Sequence, residues 1–135
     1  GRVFISVRDA DKTAIRDAAR QLVENGFTLV ATSGTQRDLV DHGIACERIN
    51  KVSEGRPHIV DAVKNGDVQL VLNTAEGPQS LADSASMRRA ALMSKVPYYT
   101  TLSGALAAAE GIALIGKGEL EVSALQTYLP ASPPV

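Results

Sequence analysis

The sequence predicts an α/β fold: a doubly wound, three-layer domain with a mostly parallel sheet of about five strands. Three observations carry this expectation. Short apolar runs, in part β-branched or aromatic, alternate strictly with helix-period segments. Three of the four helical segments stop at a glycine, the common C-terminal cap. The first helical segment carries Ile15, Ala18, Ala19, Leu22 and Val23 at i, i+3, i+4, i+7 and i+8, one apolar stripe on an otherwise charged helix. That stripe needs a sheet to cover. Strict alternation implies parallel strands, because each must be reached by a right-handed crossover that leaves helices on both faces.

In chain order, Val3–Val7 reads as a strand and Asp11–Asn25 as a helix closed by Gly26. Strand Thr28–Thr32 is followed by helix Thr35–His42 and Gly43, and strand Cys46–Ile49 by helix Pro57–Asn65 and Gly66. Strand Val68–Asn73, helix Asp83–Ser94 and strand Val96–Thr101 complete the alternation. A last helix or strand is placed around Glu121–Tyr128. The stretch Leu129–Val135 has three prolines in seven residues and cannot continue a helix. Residues 1–128 are therefore read as the domain and 129–135 as a Pro-rich tail.

The 135 residues suit one domain with a sizeable core. Hydrophobic residues make up 44% and charged residues 21%, ordinary globular usage and far from a disordered composition. The net charge is −1, with 14 basic and 15 acidic residues interspersed. With no basic face, polymeric nucleic acid is not an expected partner. Cys46 stands alone, so neither an intramolecular disulfide nor a CxxC or zinc-ligand pattern is available. A reducing, cytoplasmic setting is expected. No apolar run is long enough to span a bilayer, and no membrane contact is expected.

Open sheets of this class bind ligands beyond the carboxyl ends of their strands, so the residues after each strand are the candidate site. The first strand is followed by Arg8, Asp9, Asp11 and Lys12, and the second by Thr32, Ser33, Gly34 and Thr35. Asn50, Lys51, Glu54, Gly55, Arg56 and His58 follow the third. Asn73, Thr74, Glu76 and Gly77 follow the fourth, and Thr100, Thr101 and Ser103 the fifth. This set suits a phosphate joined to a hydroxylated, heterocyclic body. Lysine supplies a point charge, threonine hydroxyls and backbone N–H groups supply donors, and Asn73 faces a sugar or base.

The turn Thr32-Ser33-Gly34-Thr35 sits where a strand hands over to a helix, whose first N–H groups are unpaired and partly positive. Ordinary N-capping by one hydroxyl is the simpler explanation of its composition. Lys12 opens a helix, where the dipole disfavours a cation. His58 reads as structural, His42 is favoured electrostatically at a helix C-terminus and carries no assigned function, and Arg88-Arg89 reads as a solvated face. Asp9, Asp11, Glu54, Glu76 and Asp83 could each act as a base, but no partner histidine or metal-ligand cluster accompanies them. Binding therefore outranks chemistry, with no catalytic residue, no metal ligand and no cofactor assigned.

The segments "ATSGT" (Ala31–Thr35), "INKVSEGRPHIVDAVKNG" (Ile49–Gly66), "VLNTAEG" (Val71–Gly77), "DSASMRRAAL" (Asp83–Leu92) and "YYTTLSG" (Tyr98–Gly104) resemble a known family. It is the methylglyoxal-synthase-like domain at the C-terminus of the carbamoyl-phosphate synthase large subunit. The likeness runs from Gly1 to about Tyr128, and "NKVSEGRPHI" is its most specific piece. The resemblance implies a non-catalytic, allosteric unit of an ATP- and glutamine-using ligase that makes carbamoyl phosphate for pyrimidines and arginine. It implies UMP as inhibitor and IMP as activator at overlapping positions, with ornithine bound where the domain meets the rest of the large subunit. By motif, the nucleotide residues fall on Lys12, Thr32, Thr35, Lys51, Asn73 and Thr74. Lys12, Thr32, Thr35 and Lys51 would contact phosphate together with the Gly34 and Thr35 amides, and Ser33 shares that turn. Thr100 matches an ornithine contact. Nucleoside monophosphates, ornithine and the remainder of the subunit are thus the implied partners, inorganic phosphate is able to occupy the seat, and homo-oligomer contacts are left open.

Two departures stand out. Some bacterial relatives carry "NTTSG" where this chain has Asn73-Thr74-Ala75-Glu76-Gly77, and an acid where this chain has Tyr99. True methylglyoxal synthases, which eliminate phosphate from dihydroxyacetone phosphate, are similar in the phosphate turn. Their catalytic aspartate lies in a "GGD" turn where this chain has Glu54-Gly55-Arg56, and their catalytic histidine falls on Ser80. Elimination is not expected without a positioned base and its partner. A third reading, a docking module with an empty pocket, conflicts with the desolvation cost of polar groups left without a ligand.

Overall fold

The computed structural model describes residues 1–117. The chain runs β1 (Arg2–Ser6), α1 (Lys12–Glu24), β2 (Thr28–Ala31), α2 (Ser33–Asp41), β3 (Glu47–Arg48), α3 (Ile59–Lys64), β4 (Leu70–Asn73), α4 (Pro78–Met93), β5 (Tyr98–Tyr99) and α5 (Leu102–Lys117). The five strands form one sheet in the order β3-β2-β1-β4-β5, every pair parallel. Phe4 at the centre pairs with Val30 on one side and Val71 on the other.

Side-chain alternation along the strands divides the core in two. Val3, Ile5, Leu29, Leu70 and Leu72 pack with Ile15, Ala19 and Leu22 of α1 and Ala105 and Ala109 of α5. Phe4 and Val71 point the other way, against Ile59 and Val63 of α3 and Met87, Ala90 and Ala91 of α4. Helices therefore cover both faces, and the α1 stripe is buried from Ile15 to Leu22 while Val23 stays 36% exposed. Gly26, Gly43 and Gly66 follow α1, α2 and α3 with φ of +89°, +77° and +78°, a conformation that L side chains resist.

Several boundaries differ from the sequence reading. The strand expected at Cys46–Ile49 is reduced to Glu47–Arg48, both exposed on the sheet edge, and that expected at Val96–Thr101 to Tyr98–Tyr99. Helix α4 begins at Pro78 rather than Asp83, because proline at the first helical position lacks only an N–H that would have no partner. Helix α5 is an element that the sequence reading did not name. Gly104, Gly111 and Gly116 interrupt its propensity and no charged face marks it, yet its alanine side packs on α1. The element expected around Glu121–Tyr128 and the 129–135 tail lie outside the described residues. No helix among the described residues is long and apolar enough to cross a membrane.

Strand order reverses between β1 and β4, with β2 and β3 lying to one side and β5 to the other. A crevice opens at such a reversal, because the connections leave in opposite directions. It lies just beyond Ser6 and Asn73, which pair across the two central strands.

The α1–α5 layer closes on small side chains, and Ala109 is fully buried there. Ala109→Leu is expected to destabilise the protein by about 1–3 kcal/mol through overpacking. Urea denaturation checks this, with an unchanged midpoint contradicting the packing of α5.

Candidate functional site

A cavity of about 710 Å³ lies in that crevice, bounded by Ser6 to Ala10, Lys12, the Thr32–Thr35 turn, Lys51, Asn73 to Glu76, and Ser80, Asp83 and Ser84 of α4. It brings together Lys12, Thr32, Ser33, Gly34, Thr35, Lys51, Asn73 and Thr74, residues spread over the sequence from α1 to the end of β4. Thr100 stands apart, exposed just after β5 and outside the cavity lining.

The turn into α2 supplies the cavity floor. Thr32 is extended, no side chain caps the helix, and the first intrahelical bond runs from the Gln36 N–H to the Thr32 carbonyl at 2.8 Å. The Ser33, Gly34 and Thr35 amides precede that bond and have no carbonyl one turn back to receive them. The hydroxyls do not take the capping role. Thr32 Oγ1 is 3.1 Å from Ser6 Oγ, and Thr35 Oγ1 accepts the buried Val7 N–H at 3.2 Å. Thr35, expected as a phosphate donor, thus ties the turn back to the end of β1.

Lys12 lies over the same helix end. A Cβ placed on Gly34 would come within 3.3 Å of Lys12 Nζ, so glycine leaves the space that the ammonium fills. The ammonium donates to Asp9 Oδ1 at 2.6 Å. The hydrogen bond and charge of Lys12 hold the Asp9 carboxyl below its usual range. The neighbouring cation is held in a similar way. Arg8 Nε donates to the buried carboxylate of Asp11 at 2.9 Å, while the Arg8 backbone N–H donates to Thr74 Oγ1 at 3.0 Å. One 3-10 turn, Asp9–Asp11, thereby carries two carboxylates that orient two cavity cations.

Asn73 is 5% exposed, and its amide nitrogen donates to Ser84 Oγ at 2.7 Å and to Tyr98 Oη at 2.8 Å. The Tyr98 hydroxyl donates onward to the Ser84 carbonyl at 3.3 Å. Both amide protons of Asn73 are engaged, so its carbonyl oxygen is the group it has left to offer. The Arg88 guanidinium sits 5.6 Å from the Tyr98 ring centroid, a cation–π contact that gives this arginine more than the purely solvated face read from the sequence. Ser84 and Tyr98 thus complete a site to which sequence reasoning did not assign them, while Arg8 and Asp9 were visible as residues following a strand, without an assigned role. Ser84 and Tyr98 meet Asn73 only through the tertiary fold.

Lys51 reaches the cavity from the segment between β3 and α3. The Glu54 carboxylate accepts the Lys51 N–H at 2.8 Å, and Asn50 donates to the Gly55 carbonyl at 3.3 Å. Further along, Arg56 grips Asp61 through contacts of 2.6 Å and 3.2 Å, and the His58 N–H adds a third at 3.0 Å. The Arg56 and His58 hydrogen bonds hold the Asp61 carboxyl down to about 2. These contacts brace the loop that presents Lys51. They also account for Glu54 and Arg56 without chemistry.

No histidine and no cysteine lines the cavity. Burial pushes the Cys46 thiol up to about 12, which removes it as a nucleophile near neutral pH. Among the described residues no group of three or more histidine, cysteine, aspartate or glutamate side chains is arranged to hold a metal. Among the described residues the cavity cations are Arg8, Lys12 and Lys51 and its carboxylates are Asp9, Glu76 and Asp83. Such a lining suits recognition of an anion by fixed donors and charges.

The all-parallel sheet and the polar cavity at its order reversal define an α/β domain of the methylglyoxal-synthase-like class. The MGS-like domain family matches residues 14–100, and the chain belongs to that family. Over 128 residues it is 57% identical to the carbamoyl phosphate synthase large chain of Mesorhizobium japonicum and 54% identical to that of Rhizobium meliloti. Each alignment covers 95% of this chain and 11% of the relative, so the chain spans about a ninth of the length of these relatives. A methylglyoxal synthase from Elizabethkingia anophelis shares the fold with a TM-score of 0.63 at 13% identity, over 83% of this chain and 76% of that one.

The buried Thr35 hydroxyl gives the site a measurable signature. Thr35→Val removes the acceptor of the Val7 N–H and is expected to cost about 1–3 kcal/mol, whereas Thr35→Ser retains the acceptor and most of the stability. Denaturant midpoints of the two variants check this, and equal midpoints would contradict the bracing role.

Proposed function

We propose that this chain is the effector-binding regulatory domain of a carbamoyl-phosphate synthase large subunit. It binds nucleoside monophosphates, UMP as inhibitor and IMP as activator, and does no chemistry itself. The phosphate sits against the Gly34 and Thr35 amides under Lys12, with Lys51, which lines the same cavity, as a second cation. The sugar or base lies towards Asn73 and Thr74, while the exposed Thr100, outside this cavity, contributes to an ornithine site shared with the rest of the subunit. The remainder of that cytoplasmic enzyme carries the synthesis of carbamoyl phosphate for pyrimidines and arginine. The ligands are effectors and not cofactors.

One observation carries this reading: the α2 N-terminus has no side-chain cap, faces a large cavity and lies directly under an ammonium. Unpaired amides and partial positive charge at a helix start favour a phosphate, and the lysine adds a full charge at the same point. The high identity to carbamoyl phosphate synthase large chains supports the choice of parent enzyme. Regulation follows by linkage, because a nucleotide shifts the parent between states only by the difference in its affinity for them. The lining speaks against a phosphate-eliminating lyase, since Ser80 stands in the cavity and no histidine does.

Calorimetric titration with UMP and IMP, with inorganic phosphate as competitor, tests the proposal. Saturable binding that phosphate relieves is expected. Lys12→Met is expected to weaken it about tenfold or more, the scale of one charge-assisted hydrogen bond. Absence of heat with both nucleotides, or unchanged affinity in Lys12→Met, would overturn the phosphate seat and favour a docking module with an empty pocket. Methylglyoxal formation by the purified chain would favour the lyase.

A further inference from the structure

We propose that Asp9 is a built-in competitor for the phosphate seat, holding the Lys12 ammonium in the empty cavity and giving it up when a phosphate dianion enters. This rests on the phosphate-seat reading above and adds what sets the affinity of that seat. The Lys12 side chain is only 21% exposed, and its Nζ is confined between the α2 N-terminus and Asp9. Asp9 is its opposite in mobility. The carboxylate bonded to Nζ at 2.6 Å is 95% exposed, so it can swing into solvent with little loss of packing.

The arrangement has the composition of an exchange. Asp9 takes the Lys12 ammonium with one carboxylate oxygen at 2.6 Å, the same ammonium that lies by Gly34 at the α2 N-terminus. Phosphate offers further oxygens to the Gly34 and Thr35 amides that Asp9 does not supply, so it can outcompete the carboxylate for the same ammonium. The surrounding charges select Asp9 as the group that leaves. Asp11 is buried and committed to Arg8. Asp83 accepts from Ser53 at 3.1 Å and from Gln79 at 3.0 Å. Glu76 lines the cavity and forms no ion pair with Lys12, whose salt-bridge partner is Asp9. Among the described residues the cavity lining carries Arg8, Lys12 and Lys51 against Asp9, Glu76 and Asp83, and a dianion enters with less repulsion if the carboxylate bonded to Lys12 turns out.

The same device explains how a cation is kept at the first position of α1, where the helix dipole opposes it. Asp9 neutralises Lys12 until a ligand takes over. The occupied and empty states therefore differ in the rotamer of Asp9, while Asp11 stays with Arg8. A ligand without a dianionic group has nothing with which to displace Asp9.

The test is calorimetric titration of the full chain with inorganic phosphate and with UMP, for the wild type, Asp9→Asn, Glu76→Gln, Lys12→Met and the Asp9→Asn/Lys12→Met double variant. Asp9→Asn is expected to bind both ligands about two- to fivefold more tightly, the scale of one exposed ion pair removed from competition. Glu76→Gln removes the same charge from the cavity without touching Lys12 and is expected to give a smaller gain. In the Lys12→Met background the Asp9→Asn gain is expected to shrink to that of Glu76→Gln. Unchanged or weaker binding by Asp9→Asn, alongside normal wild-type binding, would overturn the competition and leave the phosphate seat standing. A gain that persists in full without Lys12 would also overturn it, leaving a general field effect. Absence of binding in both wild type and Asp9→Asn would overturn the seat and this inference together.

Discussion

The site depends on where two hydroxyls point. Thr32 stands at the N-cap of α2, the residue type and place that ordinarily cap a helix, and Thr35 lies in its first turn. Here Thr32 contacts Ser6 and Thr35 accepts from the Val7 N–H, so both are drawn towards the end of β1. The amides that they might have satisfied are left open to the cavity. An N-terminus of this kind is costly unless water or an anion reaches it, and here it opens on a cavity. Gly34 lets the Lys12 ammonium lie close over this helix end, where a Cβ would come within 3.3 Å of it.

The fold makes that turn useful by placing it beside the reversal in strand order. Ser6 and Asn73 end adjacent parallel strands whose connections leave in opposite directions, and β2 delivers the α2 turn to the same rim. Each wall is then fixed by a separate device: the Asp9–Asp11 turn for Arg8 and Lys12, the Ser84–Tyr98 pair for Asn73, and the Arg56–Asp61 pair for the loop that presents Lys51. Such bracing limits the entropy lost when a ligand orders its contacts. It also means that several polar groups in the cavity serve the architecture first and are available to a ligand only through their remaining valences.

Much of this was legible in the sequence where the signal is local. The α1 stripe, the alternation of runs and the glycines at 26, 43 and 66 depend on neighbours in the chain, and they led to the correct sheet class. The residues after each strand led to most of the cavity because topology alone puts them at one end of the sheet. What the sequence concealed is long-range. Nothing near Asn73 announces that Tyr98 and Ser84 take its amide protons, and nothing near Thr35 shows that its hydroxyl faces Val7. Helix α5 was hidden for a different reason, since its glycines and lack of a charged face erase the amphipathic pattern while alanine packing on α1 stabilises it. Thr100 entered by family resemblance, and its exposed position beyond β5 sets it apart from the cavity.

The central claim is that the open amides of α2 receive a phosphate. An amide-resolved NMR titration of the chain with UMP, repeated with inorganic phosphate, tests it most directly. Large, saturating downfield shifts of the Gly34 and Thr35 amide protons are expected with both ligands, since these N–H groups would pass from water to a charged acceptor. Saturating shifts centred on other residues, with Gly34 and Thr35 unmoved, would contradict the claim, as would shifts that grow linearly with phosphate concentration and never saturate.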